Sequence, residues 1–329
     1  MRTVIYICPF TGLCGGTKVI AEHVSRLAAR GFDARWWGLA TPPAWFPRPL
    51  PYERFPHTDQ LGRAIASLHD AAVVATFWTT ASWVAPNLAN GSRGFYLVQD
   101  LDGDTYGGDP AGDSYGLGLQ AITESVWVTR QLNERWGLSP AFVGIGIDHA
   151  AFRPLNVPRD YDRLFTTHRP GAGPNDLKGF AVGLETARIV AAANPLASLV
   201  TFGAHGAPIV GCLPHVHVDS PSDEKLRELY SQAGVYLLTS RHEGFGLPAL
   251  EAMACGCPVV CIDAHGNMEF CLHGETALVG ASPAELAAHV EALQRDRSAW
   301  RRLADAGRAT AARYQWPAAI DRLAELFAF

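Results

Sequence analysis

Ser240-Arg-His-Glu-Gly-Phe-Gly-Leu-Pro-Ala-Leu-Glu-Ala-Met-Ala-Cys-Gly-Cys-Pro-Val-Val-Cys-Ile-Asp263 reads as a strand end, a glycine loop, a helix, a tight turn and a second strand. Ahead of it, Gly234-Val-Tyr-Leu-Leu-Thr239 is a short apolar run of strand formers, the pattern of a buried central strand. Gly244 and Gly246 admit backbone angles and close approach that side-chained residues resist, and Pro248 suits the first turn of a helix, where its missing N–H costs nothing. The spacing therefore predicts a helix from about Leu247, whose free N–H groups and positive dipole end would seat phosphate oxygens. Two carboxylates flank that seat, Glu243 in the loop and Glu251 one turn into the helix. A bound anion does not account for them, whereas neutral partners with vicinal hydroxyls do, a glycosyl ring for one and a ribose for the other. The residues alone leave open that Glu251 only favours the helix N-terminus and that Glu243 faces solvent.

The segment Glu243-Gly-Phe-Gly-Leu-Pro-Ala-Leu-Glu251, continued by Ala252-Met-Ala254 and Gly256-Cys-Pro-Val-Val260, resembles the glutamate, seven residues, glutamate signature of retaining glycosyltransferase family 4. The resemblance implies an α/β protein of GT-B fold, with doubly wound Rossmann-like domains facing a cleft and a C-terminal helix returning to the first domain. It implies transfer of a sugar from a nucleotide sugar (UDP-, TDP- or GDP-linked) to a hydroxyl or amine acceptor, a small molecule or glycan, with retention at the anomeric carbon. Neither a separate cofactor nor a metal is expected. The alternative is a GT-B protein diverged to a phosphorylase or to a non-catalytic nucleotide-sugar-binding partner.

On this reading residues 1–155, joined by a returning helix at 313–329, form the acceptor domain, and 156–312 form the donor domain. The first strand ends at Cys8, Pro9 to Thr17 forms a glycine loop, and Lys18 to Arg30 has helical periodicity. The loop has neither a Walker lysine pattern nor GxGxxG. The resemblance implies that Gly15 and Gly16 face the donor diphosphate. Prolines and aromatics at 42–56 read as a loop whose rings pack on the domain or line a ligand. Past a strand at 94–99, Asp100 opens an acidic loop with Asp102, Asp104, Tyr106, Asp109, Asp113 and Tyr115, at a strand end where an acceptor would bind. Family members are expected to present a histidine here, and this chain instead offers Gln99 and Asp100. Ser125 to Thr129 reads as a strand, Gln131 to Trp136 as a short helix, and Ala141 to Ile147 as the last strand before a linker in which His149 makes a structural hydrogen bond.

In the second half, Arg169 and Lys178 follow a strand at 163–168, and two cations beside a departing diphosphate stabilise charge that grows in the transition state. The resemblance likewise places them on the diphosphate. Ile209 to Leu213 reads as a strand, with His215 and His217 in a loop that, by resemblance, cups the nucleobase. Gly266, Asn267 and Met268 would turn backbone N–H groups toward the donor. The implied donor set is Gly15, Gly16, Arg169, Lys178, His217, Glu243, Gly244, Phe245, Gly246, Leu247 and Glu251, with Arg169, Lys178, Glu243 and Asp100 acting in catalysis.

Composition agrees with a two-domain globular enzyme: 329 residues exceed one typical core, and 48% hydrophobic with 18% charged residues disfavours disorder. A net charge of -5 gives no general attraction for nucleic acid or an anionic membrane. The apolar opening is too short for a signal peptide, and seven cysteines, an odd number, do not form a disulfide framework, so a cytoplasmic location is expected. Cys255, Cys257 and Cys261 lack zinc-site spacing and read as small buried residues, as do Cys8, Cys212 and Cys271. No basic amphipathic helix is evident, so membrane association is disfavoured. A homo-oligomer is compatible with the sequence.

Overall fold

The computed structural model describes residues 2–101, 110–171, 176–204 and 206–329. The chain divides into two compact units, Met1–Gly146 with Trp316–Phe329, and Ile147–Gln315.

In the first unit Thr3–Ile7 (β1) leads to helix α1, Gly15–Ala29, and then to Asp33–Gly38 (β2) and Tyr52–Arg54 (β3). Thr58–Ala66 (α2), Ala72–Ala75 (β4), Trp78–Val84 (α3) and Arg93–Val98 (β5) follow. Pro110–Tyr115 (α4), Gln120–Thr123 (β6), Val126–Trp136 (α5) and Ala141–Phe142 (β7) complete the run. The sheet order is β3-β2-β1-β4-β5-β6-β7, every pair parallel. Val4 to Ile7 and Ala72 to Ala75 are buried on both faces, as a parallel sheet covered by helices requires.

Several elements differ from the sequence reading. The apolar run at 126–128 is the first turn of α5: Ser125 caps it by accepting from Val128 N at 3.4 Å, and Val128 and Leu132, four apart, are the buried face. Such a cap stabilises a helix by about 1 kcal/mol, and the strand is the preceding Gln120–Thr123. Three residues of the proline-rich segment, Tyr52–Arg54, pair at the sheet edge, where flanking prolines are tolerated. Its aromatics divide: Phe55 is buried against Trp37 at 5.1 Å, while the Trp45 indole donates to Thr11 O at 2.7 Å. Gly15 and Gly16 are the first residues of α1 instead of standing in the loop before it.

The second unit contains Asp160–Thr167 (β8), Phe180–Ala193 (α6), Ser198–Gly203 (β9), His215–Asp219 (β10), Asp223–Gln232 (α7) and Ala233–Leu238 (β11). Leu247–Ala254 (α8), Val259–Cys261 (β12), Leu278–Val279 (β13), Pro283–Arg295 (α9) and Arg297–Ala311 (α10) follow. The sheet order is β10-β9-β8-β11-β12-β13, again all parallel. The segment 209–213 is not a strand, since Pro208 and the left-handed Gly211 (φ 66) interrupt it; the strand is His215–Asp219, which carries both His215 and His217.

The last helix, Trp316–Leu326 (α11), belongs to the first unit. It packs on α1 through the Arg30–Asp321 ion pair and through Trp316, whose ring meets His23 edge-on at 5.7 Å. Among the described residues no helix is long and apolar enough to cross a membrane.

Candidate functional site

The central strand β11 is buried along its whole length and delivers Thr239 and Ser240, both buried, to its carboxyl end. The order of the second sheet reverses direction between β8 and β11, and in open α/β sheets the crevice outside the carboxyl ends at such a point takes the ligand. Everything the signature supplies lies at the exit of β11. Gly246, left-handed at φ 97, is the N-cap of α8, and no side chain caps that helix. Helix α6 differs, because Asp176 accepts from Phe180 N at 2.8 Å and Ala181 N at 2.9 Å. Of these two helix starts, α8 is the one without a side-chain acceptor, which suits it to an external anion.

Glu243 is 8% exposed, and its backbone is pinned by Glu243 N to Ala264 O and Gly266 N to Glu243 O, each 2.9 Å. A Cβ on Gly266 would lie 2.1 Å from Gly244 O, so only glycine lets the 264–266 segment run this close. Lys178 Nζ lies 2.7 Å from Glu243 Oε1. Lys178 is placed by its neighbour: Gly179 is left-handed at φ 59, and a Cβ there would sit 1.7 Å from Thr239 O, so the Lys-Gly pair presses directly on the β11 exit. Arg241 N donating to Leu177 O at 3.1 Å ties the two loops again. Phe245 is buried against Phe270 at 5.2 Å and Tyr314 at 5.5 Å, which anchors the glycine loop from below.

Glu251 is 6% exposed on α8, with the Tyr230 hydroxyl 3.5 Å from its Oε2. Burial and this carboxylate both raise the Tyr230 pKa, so the phenol stays protonated and can donate. Arg169 is exposed two residues past β8. His217 Nδ1 and His215 Nε2 both lie 2.8 Å from Thr201 Oγ1, and the His217 ring stands edge-on to His168 at 5.8 Å. His217 Nε2 is buried without a hydrogen-bond partner among the described residues. The structure thus brings Lys178 and Glu243 into contact and leaves Arg169 in solvent at the neighbouring strand exit.

In the first unit Asp100 follows β5, its Oδ1 accepting from Leu101 N at 2.8 Å. Asp102, Asp104, Tyr106 and Asp109 lie outside the described residues. Tyr115, grouped by sequence with that acidic loop, is instead a core residue, stacked on Tyr96 at 5.7 Å and against Trp136 at 4.8 Å. Sequence reading missed a buried polar chain beside it. Glu124 Oε1 lies 3.2 Å from His23 Nε2, His23 Nδ1 lies 3.2 Å from the Tyr6 hydroxyl, and Gln99 Nε2 donates to Glu124 Oε2 and to Gly16 O, both at 3.3 Å. Burial pushes the Glu124 carboxyl up to about 8 and the His23 imidazole down to about 3. The available signal was a lone histidine on the apolar face of α1.

His149 Nε2 bonds Tyr314 O at 3.1 Å. Cys8, Cys255, Cys257, Cys261 and Cys271 are buried free thiols, whereas Cys212 is only half-buried and Cys14 is exposed. Among the described residues no three His, Cys, Asp or Glu side chains gather as a metal site.

Residues 212–310 match the family model described as glycosyl transferases group 1. The D-inositol 3-phosphate glycosyltransferase of Thermomonospora curvata is 30% identical over 402 aligned positions, covering 97% of this chain and 91% of that protein. The O-antigen biosynthesis protein RfbC of Myxococcus xanthus is 29% identical over 76% of this chain, which spans only 20% of that relative's length. Among solved structures, HepE of Anabaena in complex with UDP-glucose superposes with a TM-score of 0.81 over 100% of both chains at 13% identity. The architecture is GT-B: two Rossmann-like α/β domains with a C-terminal helix.

Proposed function

This chain belongs to the group 1 glycosyl transferase family, and from that premise we propose that it moves a sugar from a nucleoside-diphosphate sugar to a hydroxyl or amine acceptor with retention at the anomeric carbon. The 2.7 Å contact between Lys178 and Glu243 beside the uncapped start of α8 carries the reading. The Lys178 ammonium that holds Glu243 also supplies positive charge to phosphate oxygens that meet the α8 N–H groups. Glu243, fixed by Lys178, has its second oxygen to accept from a hydroxyl of the transferred sugar. Glu251 accepts from the ribose, His217 borders the base, and Arg169 adds charge from the β8 exit. Acceptor binding falls to the first unit, with Asp100 at its carboxyl edge.

In the reaction the bond from the anomeric carbon to the leaving phosphate oxygen breaks and the acceptor oxygen or nitrogen bonds to that carbon. The acceptor proton passes to the departing phosphate on the same face, which gives retention without a covalent enzyme intermediate. A Glu243 already neutralised by an ammonium orients the ring and favours its developing positive charge; it is not the nucleophile.

The test incubates the protein with UDP-, TDP- and GDP-sugars and a hydroxyl and amine acceptor panel. Nucleoside diphosphate should appear only with acceptor, and proton NMR should show the donor's anomeric configuration in the product. Inversion, or a glycosyl adduct trapped on Glu243, would overturn the retaining assignment. Within the donor site Glu251→Gln should raise donor KM about tenfold, or about 1.4 kcal/mol, with kcat little changed, because a ribose hydroxyl bond is the same in ground and transition states. Glu243→Gln should alter both constants. A Glu251→Gln defect confined to kcat would remove that residue from the ribose.

A further inference from the structure

The first sheet also reverses direction once, between β1 and β4, and the crevice outside those two carboxyl ends is the ligand position of an open α/β domain. This chain lines that crevice with rings. Phe10, just past β1, is 44% exposed and meets Phe77, just past β4, edge-on at 5.3 Å; Trp78 follows at 5.8 Å from Phe77. The Phe77 backbone is held, since Phe77 N and Thr76 N both donate to Thr80 Oγ1 at 3.0 and 2.9 Å, and Thr76 Oγ1 donates to Ile7 O across the two strands at 2.8 Å. The start of α1 is served from within the chain by Thr17 Oγ1, which accepts from Cys14 N at 3.0 Å. No basic residue occurs between Pro9 and Thr17. The surface therefore suits an uncharged ring more than a phosphate.

One polar group is aimed at the same edge. Gln99 leaves β5, the neighbour of β4, about 5 Å away in the sheet. The Gly16 carbonyl can only accept, so the Gln99 atom bonded to it is Nε2, and Glu124 Oε2 takes the second hydrogen. The amide is thereby oriented with Oε1 above Gly16, where a Cβ would approach it to 2.8 Å, and Oε1 has no hydrogen-bond partner among the described residues. Only a donor such as a hydroxyl or amine hydrogen can complete it.

We infer that this crevice binds the acceptor, and that the acceptor carries a ring whose flat face packs on Phe10 and Phe77 while one of its hydroxyl or amine groups donates to Gln99 Oε1. The inference rests on the glycosyl-transfer reading for the word acceptor, but the binding it describes is measurable without turnover. The probes are phenyl β-glucoside, methyl β-glucoside and glycerol, each with vicinal hydroxyls, followed by calorimetry and saturation-transfer NMR. At least one glucoside should bind at least tenfold tighter than glycerol; binding of both identifies a sugar ring as the stacked group, and binding of the phenyl compound alone identifies an aromatic one. Phe10→Ala should weaken the bound glucoside about tenfold, 1.4 kcal/mol, and Phe10→Tyr should keep it within twofold. Nucleoside diphosphate binding to the same samples reports that the second unit is folded. Glycerol binding as well as the glucosides, no glucoside binding at millimolar concentration, or an unchanged affinity in Phe10→Ala overturns the inference. Absence of nucleoside diphosphate release with every acceptor, in contrast, overturns only the transfer reading.

Discussion

Lys178→Ala should lower kcat by about a hundred- to a thousandfold, the usual loss when one donor aimed at developing negative charge is removed. The diphosphate gains charge as the glycosidic bond breaks, so a cation placed there contributes most in the transition state and less in the ground state. Lys178 is well placed to show this, being held by Gly179 against the β11 exit and by Glu243 at 2.7 Å, so its ammonium needs little reorganisation during the reaction. Its removal also leaves the nearly buried Glu243 carboxylate without that cation, which turns a positioning group into a repulsive one beside phosphate. Lys178→Arg should recover little, because a planar fork does not replace a point charge inside a contact of this length. Arg169→Ala should cost less, about tenfold, since its exposed charge is screened by water. Steady-state and single-turnover kinetics, with circular dichroism to confirm folding, provide the measurement. A Lys178→Ala kcat within about threefold of the parent, only ~0.65 kcal/mol of barrier, would remove Lys178 from the diphosphate.

The second-unit site was readable because its chemistry is nearly contiguous. Strand, glycine loop and helix follow one another from Ala233 to Ala254, and both carboxylates lie inside that run. Lys178 stood out through the glycine after it, and the structure supplies the reason in the Thr239 carbonyl that a side chain would strike. The first-unit site was hidden by a displacement of a few residues. Taking Val126 to Val128 as strand moved Glu124 from a strand exit, where ligands and buried networks gather, to a strand start. The correct strand is four residues long and carries little pattern of its own. The Phe10–Phe77 pair and the His23–Glu124 pair join residues far apart in the chain, so neither leaves a local trace. His215 and His217 read as loop in the sequence because the apolar run before them competes for the strand. The left-handed Gly211 ends that run, and the alternating Val216 and Val218 carry the ladder.

Between pH 6.5 and 8 the wild-type first unit should lose about 2 kcal/mol of stability that a Glu124→Gln variant keeps. Glu124 and His23 are buried, 4% and 0% exposed, with Glu124 Oε1 3.2 Å from His23 Nε2 and His23 Nδ1 3.2 Å from the Tyr6 hydroxyl. The pair holds one proton, on the carboxyl, so that both buried groups are neutral. The Glu124 value is raised by burial from 4.5 to about 8, so its contribution is full below 4.5 and is lost as pH rises toward 8. The His23 value is lowered by burial from 6.5 to about 3, so its contribution is full above 6.5 and is lost as pH falls toward 3. Between 4.5 and 6.5 the folded pair and the unfolded pair each hold one proton, on Glu124 in the first and on the histidine in the second, and the slopes cancel. Above 6.5 only the carboxyl remains to titrate, at about 1.4 kcal/mol per pH unit over roughly 1.5 units. The amide introduced by Glu124→Gln would keep a carbonyl for Gln99 and a neutral polar group beside His23, with no proton to lose. Hydrogen exchange of the α1 amides at pH 5.5, 6.5 and 8.0, corrected for intrinsic rates, isolates this unit from the other. Protection of wild type should stay level from pH 5.5 to 6.5 and then fall toward pH 8, whereas Glu124→Gln, left with the His23 contribution alone, should gain up to about tenfold by pH 6.5 and hold it to pH 8; parallel behaviour of the two proteins throughout would mean that Glu124 is ionised in the fold.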